Sequence, residues 1–580
     1  MNNVPSDNVR HNQRLRWIKA PAAPPAYLSE LPRDISPLIG QLLWNRGITD
    51  PAQVGAFLEA DYSHLHDPRQ LLGMDQAVAR IKQARDTAQR IAVYGDFDTD
   101  GVTGVTLLYQ ALTGIGLDVL PYILKRIEEG YGLNTAAVED LATKVGLLIT
   151  VDCGISNVAE IGRAQALGLD VIVLDHHTPP ARLPDAYAIV NPKQPGCSYP
   201  YKMLAGVGIA FKLVQALANA GLKSGYRGRQ LLDIVALGTV TDMAPLDGEN
   251  RVLVKYGLEA LNATERPGLR ALMEVAALKG RIDCRTIGWA LGPRINAAGR
   301  LDDAVRAYEL LMCDDDQDAR ELAANLDEIN IRRKGLTAET FERAIELARV
   351  SGKAGGRIIV LDGADFPSGV VGLVAGRLAE HFARPVLLLE RGEEASRGSA
   401  RSVPGFSIID ALAECADVFT KYGGHAMAAG FSLPSDRVTM LEERLAAIAM
   451  RDLTDEMLER KLTYDAELPL RDHSLHLVDQ IGMLEPFGQG NAEPVWVTQN
   501  LEILESRVLG AEHKHLRLRV RDGKGAFGNA IAWNYGPRAA EFGERARVDI
   551  AYTLEGDEWQ GRRRLQMKVK QMRRTNGDTA

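Results

Sequence analysis

At 580 residues, with 46% hydrophobic and 25% charged side chains, the chain is too long for one core and is built to bury several. Its net charge of -8 excludes a protein coated in Lys and Arg, but not one that gathers its positive charge in a single channel. The five cysteines stand without CxxC spacing, which argues against a disulfide framework or a zinc ribbon. No apolar run is long enough to span a bilayer, and MNNVPSDNVRHNQRLRW lacks the apolar stretch of a signal peptide. A cytoplasmic location is expected, with a monomer as the default state.

In chain order, residues 1–67 contain Pro21, Pro24, Pro25, Pro32 and Pro37 and then ISPLIGQLLWNRGI, which predicts an N-terminal extension with a short helix, packed on the domain that follows. From 68 to 300 apolar strands alternate with helical patterns: IAVY at 91, VLPYIL at 119, LLITV at 147, VIVL at 171 and IVALGTV at 234. That rhythm predicts an α/β domain with a mostly parallel sheet. Residues 301–354, rich in helix formers and striped by Leu322, Leu326, Ile329 and Leu336, predict a long connecting helix. About 35 residues would reach roughly 50 Å.

A second α/β unit is expected over 355–455, with RIIVLDG and RPVLLLE as strands around the helix GVVGLVAGRLAEHF. Its loops GSARSVPGF and GGHAMAAGF bring glycines next to Ser399, Arg401 and His425, which suits an anion pocket and equally suits tight turns. Over 456–572 the period changes to two. In HKHLRLRVRD, Leu516, Leu518 and Val520 alternate with Arg517, Arg519 and Arg521, and in RLQMKVKQM Lys568 and Lys570 oppose Met567 and Val569. Short antiparallel strands with a basic face, beside Trp533 and Tyr535, predict an OB-type β-barrel that tracks single strands by charge and stacking. A barrel kept soluble by surface charge would look alike. Residues 573–580 read as a polar tail.

The chemistry concentrates at Ile91–Thr106, IAVYGDFDTDGVTGVT, where a strand breaks into Asp96, Asp98 and Asp100. Alone, this is equally an Asx-rich turn capping a helix. The pattern recurs, however: LLITV ends at Asp152, VIVL at Asp175, His176 and His177, and IVALGTV runs into Asp242. Carboxylates and imidazoles delivered to one rim of a sheet suit Mn²⁺ or Mg²⁺, and crowded carboxylates repel unless a cation or proton lies between them.

In order and spacing, VYGDFDTDG, ITVDCG, LDHH and ALGTVTDMAPL resemble the motifs of the DHH phosphoesterase superfamily. RIEEGYGLN, LAGVGIAFKL, GPRINAAGRL and LEPFGQGNAEPVW are more narrowly similar to its RecJ family of single-strand-specific exonucleases. The resemblance covers most of the chain. It implies a 5′ to 3′ exonuclease on single-stranded DNA, releasing 5′-mononucleotides in repair and recombination through two metal ions. From the residues themselves, Asp98, Asp100, Asp152, His176 and Asp242 are expected to hold Mn²⁺ or Mg²⁺, with Asp152 a candidate bridge, Asp96 at the edge of the set and His177 placed to contact the scissile phosphate or to orient a ligand. Tyr94 stands where many superfamily members have a histidine that helps hold the second ion. Ser399 and Arg401, with Arg300 or Arg294 across the cleft, would grip the 5′-phosphate beside His425. A helicase, a single-strand-binding protein or a mismatch-repair factor would be partners by family analogy. The rivals are other DHH phosphoesterases, which generally lack a basic barrel, and a non-catalytic DNA-binding scaffold.

Overall fold

The computed structural model describes residues 15–575 apart from 126–131, 226–227, 511 and 560–561. Most of the RIEEGYGLN motif therefore lies outside the described residues, as do 576–580 of the expected tail; Arg573 and Arg574 belong to the last strand.

The first sheet is parallel throughout. Its five strands lie in the order Val119–Ile123, Ile91–Gly95, Leu147–Val151, Asp170–Leu174, Ala188–Val190. Ile91–Gly95 and Leu147–Val151 are buried at every position, which explains their unbroken apolar runs. Strand order reverses between these two strands, so their C-terminal ends open the crevice where such sheets receive ligands.

IVALGTV is not a strand. Leu232–Thr241 is an α-helix with nine buried residues in succession, packed against Thr99–Gly114 and Gly248–Asn262. A helix apolar all round loses its 3.6 period and reads from sequence like a buried strand.

The N-terminal segment also departs from expectation. Ile35, Ile39, Leu42, Leu43, Val54 and Phe57 share a core with the C-terminal barrel, and Arg16–Lys19 pairs in parallel with Lys461–Tyr464. Adjacency in sequence predicted packing on the next domain, which holds for Tyr62 and Leu65, whereas the helices before them complete the core of the last one.

The connecting region comprises a separate helix, Val305–Met312, followed by the 35-residue helix Asp316–Val350. Asp315 caps the long helix by accepting from Gln317 and Asp318 N–H. Ala323, Leu326 and Ile329 pack into the first core. Phe341, Ala344, Ile345 and Ala348 pack into a core of the second unit, so one helix face serves two domains in turn.

The second sheet runs Lys421–His425, Ala428–Pro434, Ala395–Arg401, Val386–Glu390, Ile359–Gly363, with only the last two strands parallel. GSAR and GGHAMAAGF, expected as loops, are largely strand. Their small residues hid the period of two. The barrel closes through five strands, Trp496–Leu509, His515–Arg521, Phe527–Ala532, Arg562–Arg574 and Arg547–Trp559, the last pairing back to the first. Leu516, Leu518 and Val520 point inward. Trp533 is exposed, but Tyr535 is buried and its hydroxyl accepts from Met572 N–H, which removes it as a stacking surface.

Candidate metal centre

Asp96, Asp98 and Asp100 follow Ile91–Gly95, Asp152 follows Leu147–Val151, and His176 and His177 follow Asp170–Leu174. Three adjacent strand ends thus deliver six of the predicted residues to one rim. Asp242 arrives differently, as the C-cap of Leu232–Thr241. Ligating atoms of Asp152, His176 and His177, of Asp100, His176 and Asp242, and of Asp96, Asp98 and Asp152 lie within 4.8 Å of one another in each set. Asp152 and His176 each belong to two sets.

Local structure fixes each side chain. Asp98 N-caps Thr99–Gly114, one oxygen accepting from Asp100 and Gly101 N–H at 2.9 and 3.2 Å. The same helix start is tied by Asn296, whose side-chain oxygen accepts from both Thr99 N–H and Thr99 Oγ at 2.8 Å. The two oxygens of Asp100 accept from Gly206 and Val207 N–H at 2.7 and 2.9 Å, at the N-terminus of Gly206–Asn219. That approach requires glycine: a Cβ on Gly206 would stand 2.8 Å from Asp152 Cβ and 2.9 Å from Asp100 Oδ2. Asp152 holds φ +60, an uncommon value outside glycine and one that recurs at functional sites.

The electrostatics are those of a cluster short of positive charge. Burial, then the neighbouring Asp98, raises Asp100 to about 7 despite its backbone hydrogen bonds. Burial, then Asp100, pushes both Asp152 and Asp242 well above the carboxylate range. Burial, reinforced by His177, lowers His176 to about 3, so it stands neutral with a lone pair to give. Asp152 Oδ1 and His176 Nε2 lie 3.0 Å apart, both buried and both without a hydrogen-bond partner. Two buried polar atoms that face each other without a well-formed hydrogen bond are costly unless a cation or a proton joins them. The donor set is carboxylate and imidazole without thiolate, the composition that hard divalent ions such as Mn²⁺ and Mg²⁺ select. The residues fit the ions.

His177 is a different group. Burial opposes its charge, but the Asp175 carboxylate, 2.8 Å from Nδ1, overrides burial and raises His177 to about 9. Asp175 is held low, to about 2, by that same histidine against the cost of its own burial. Asp175 also accepts from Ile155 N–H, which anchors the pair to the sheet. His177 is half-exposed and stacks on His425 of the second unit, ring centres 5.9 Å apart and 9° from parallel. Burial, followed by that neighbour's charge, lowers His425.

Ser399 and Arg401 lie together, Arg401 Nη1 donating to Ser399 Oγ at 2.8 Å, against the first turns of helix Ser368–Phe382. The Arg300 carbonyl abuts Gly369 of that helix, so Arg300 reaches the second unit. Arg294 does not join this group: it is buried, ion-paired with Asp327 of the long helix at 2.9 Å and donating to the Ala290 carbonyl. Its alternation with Arg300 in GPRINAAGRL could not tell the two sides of one helix apart. Tyr94 stacks on Tyr122, centroids 4.8 Å apart, and donates to the Gly132 carbonyl.

Arg517, Arg519, Arg521, Lys568 and Lys570 all belong to the barrel. Arg521 pairs with Glu502 at 2.8 Å, Lys568 with Glu555 at 2.8 Å and Lys570 with Glu493 at 3.8 Å. Sequence reasoning named Asp175 at its strand end without giving it a role, and missed Asn296. Asp175 had a signal, being the first residue past a strand as Asp96 and Asp152 are. Asn296, distant in sequence and on a helix, had none.

The chain matches the DHH family N-terminal domain over residues 90–239, the DHHA1 domain over 349–451 and the RecJ OB domain over 464–571. It is 38% identical to the single-stranded-DNA-specific exonuclease RecJ of Bacillus subtilis, over 92% of this chain and 68% of that protein. It is 35% identical to the Escherichia coli RecJ over 93% and 96%. The crystal structure of Thermus thermophilus RecJ in complex with Mn²⁺ superposes with a TM-score of 0.82 at 31% identity, over 97% of this chain and 80% of that one. A chain with these three domains, similar in sequence over nearly its whole length and alike in fold, belongs to the RecJ family of the DHH superfamily.

Proposed function

We propose that this chain is a metal-dependent 5′ to 3′ exonuclease that degrades single-stranded DNA to 5′-mononucleotides. The observation that carries the reading is the pair of orphaned buried ligand atoms, Asp152 Oδ1 and His176 Nε2, at the centre of an acidic cluster. Relatives described as single-stranded-DNA-specific exonucleases, with structures in complex with Mn²⁺ and with Mg²⁺, support it.

Asp98, Asp100, Asp152, His176 and Asp242 would hold the ions, with Asp152 shared and Asp96 at the margin. When bound, the ions supply an acidified water and relief of the charge that builds on the phosphoryl oxygens. His177, kept cationic by Asp175, has its remaining ring N–H free to donate to a phosphoryl oxygen, and its half-exposed face suits that role. Asp175 holds Nδ1–H and so fixes the orientation of the ring. Ser399, Arg401 and Arg300, beside the N-terminus of Ser368–Phe382, would bind the terminal 5′-phosphate. Bringing that phosphate and the acidic rim to one cleft fixes the end from which nucleotides are removed. The barrel would hold the continuing strand.

The test is degradation of a 5′-labelled single-stranded oligonucleotide beside its duplex and 3′-labelled counterparts, with Mn²⁺, Mg²⁺ or EDTA. Early release of the 5′ label from the single strand alone, abolished by EDTA, is the expected result. Retention of the strand without cleavage in either ion would overturn catalysis in favour of a scaffold.

A further inference from the structure

The helix that closes the acidic rim carries an aromatic side chain that neither the metal centre nor the phosphate pocket uses. Trp289 is 80% exposed, the most exposed aromatic residue among the large exposed hydrophobics of the described chain. It lies in a five-residue π-helical turn, Ile287–Leu291, which leads directly into the helix Gly292–Leu301. Such turns are rare and recur at functional sites.

The position of that helix relative to the site gives Trp289 its meaning. Gly292 packs on Thr241, the residue before Asp242, with a Cβ there standing 2.6 Å from Thr241 Oγ1. Asn296 clamps Thr99. Gly299 packs on the Phe97 carbonyl, and the Arg300 carbonyl on Gly369 of the second unit. The helix therefore runs along the whole rim, from the Asp242 end to the phosphate end. Trp289, Pro293, Asn296 and Arg300 stay outside the core at helical spacings, while Ile287, Leu291, Ile295 and Ala298 sink into it. One half-buried stripe thus begins at Arg300, passes the acidic loop at Asn296 and ends at the exposed Trp289. By helix rise the stripe is roughly 16 Å long, a few nucleotides at about 3.4 Å per stacked base.

Beyond Trp289 the stripe approaches the barrel. Arg281 and Asp283, just upstream of the π-helical turn, are felt electrostatically by Glu485 in the segment that leads to the barrel. Leu246 N–H, four residues past Asp242, donates to the Gln489 carbonyl of that segment at 2.7 Å. Met243 is exposed as well, at φ +64 beside Asp242. An exposed aromatic ring at the Asp242 end of this helix, the end away from the phosphate pocket, offers the π-face on which a nucleobase stacks.

We infer that Trp289 is a stacking platform for a base on the 3′ side of the scissile phosphate, bridging the cleavage site and the barrel along a single strand. The inference rests on the nuclease reading and adds a strand-length dependence to it. Base–aromatic stacking tolerates any base, so the platform would favour unpaired strands without sequence preference.

Trp289→Ala and Trp289→Phe test it, since an exposed side chain can be replaced without opening a cavity. Trp289→Ala should raise KM for a long single strand at least about fivefold, with Trp289→Phe keeping most of the affinity. The loss should shrink as the strand is shortened to a dinucleotide, which ends before the platform. Equal loss at every length would mean a structural role and overturn the inference, as would an unchanged KM in both variants. A second readout needs no catalysis. Binding of a long oligonucleotide to the Asp152→Asn protein should quench tryptophan fluorescence, and adding Trp289→Phe should remove a large part of that quench. If the parent chain binds but never cleaves, Trp289-dependent quenching upholds the platform while the nuclease reading falls; quenching that ignores Trp289 overturns the platform alone.

Discussion

The acidic rim and the basic barrel face are built on opposite terms. On the rim, Asp100, Asp152 and Asp242 are driven above the carboxylate range by burial and by one another, and Asp152 Oδ1 and His176 Nε2 have no partner. On the barrel, cations are satisfied at home: Arg521 by Glu502, Lys568 by Glu555, and Arg519 over the Phe527 ring at 5.3 Å. Such pairs, still partly open to solvent, each contribute on the order of 1 kcal/mol and can be exchanged for a phosphate. Buried, unpartnered ligand atoms cannot be traded. The rim is therefore a site that demands one kind of occupant, and the barrel a surface that accepts many.

The largest effect expected from breaking this contrast is at Asp152. Asp152→Asn should lower cleavage by at least about a hundredfold and erase the rise in Tm that Mn²⁺ gives the parent by binding the folded state. Cleavage within a few-fold of the parent would remove Asp152 from the centre. Gly206→Ala comes next, because its Cβ would press on both Asp152 and Asp100; a stability loss of about 1–3 kcal/mol is expected, with activity falling alongside. Gly208→Ala is the control, since its nearest neighbour would be 3.4 Å away; equal Tm and activity losses in the two would refute the crowding argument.

A third expectation concerns pH and lies in the barrel. His473, bonded to the Tyr552 hydroxyl at 2.6 Å, is lowered by burial to about 4. The unfolded chain binds this proton near pH 6.5 and the folded chain only near 4, so stability from the neutral histidine is complete above about 6.5 and is lost as pH falls through that window. The loss amounts to at most about 3 kcal/mol. Calorimetry of parent and His473→Phe from neutral to acid pH checks it, and parallel pH profiles would sink the assignment. Smallest of all, Arg517→Ala with Arg519→Ala should weaken single-strand binding a few-fold and reduce the salt slope by about 0.7 for each phosphate no longer neutralised. An unchanged slope would mean that this face does not meet DNA.

Particular residues show where sequence was sufficient. Asp96, Asp98, Asp152, His176 and His177 were legible because each sits just past a buried parallel strand, where apolar pattern and glycine mark the strand end within a residue or two. Asp242 was found on the same logic although its element is a helix: a stretch apolar on all sides gives no period, but it still ends where polar residues begin. Leu516, Leu518 and Val520 were legible because a half-buried strand alternates.

Sequence alone thus determined which acidic and histidine residues gather at the rim, most of them at strand ends, and the three domain characters, since all of these are written in local period and composition. Only tertiary structure decided that Asp175 charges His177, that Asn296 holds the acidic loop, that Arg294 turns to Asp327 and away from the cleft, and that the N-terminal segment joins the barrel core. Those outcomes depend on which distant surfaces meet, and a hydrogen bond of 2.8 Å between residues 99 and 296 leaves no trace in the pattern of either segment.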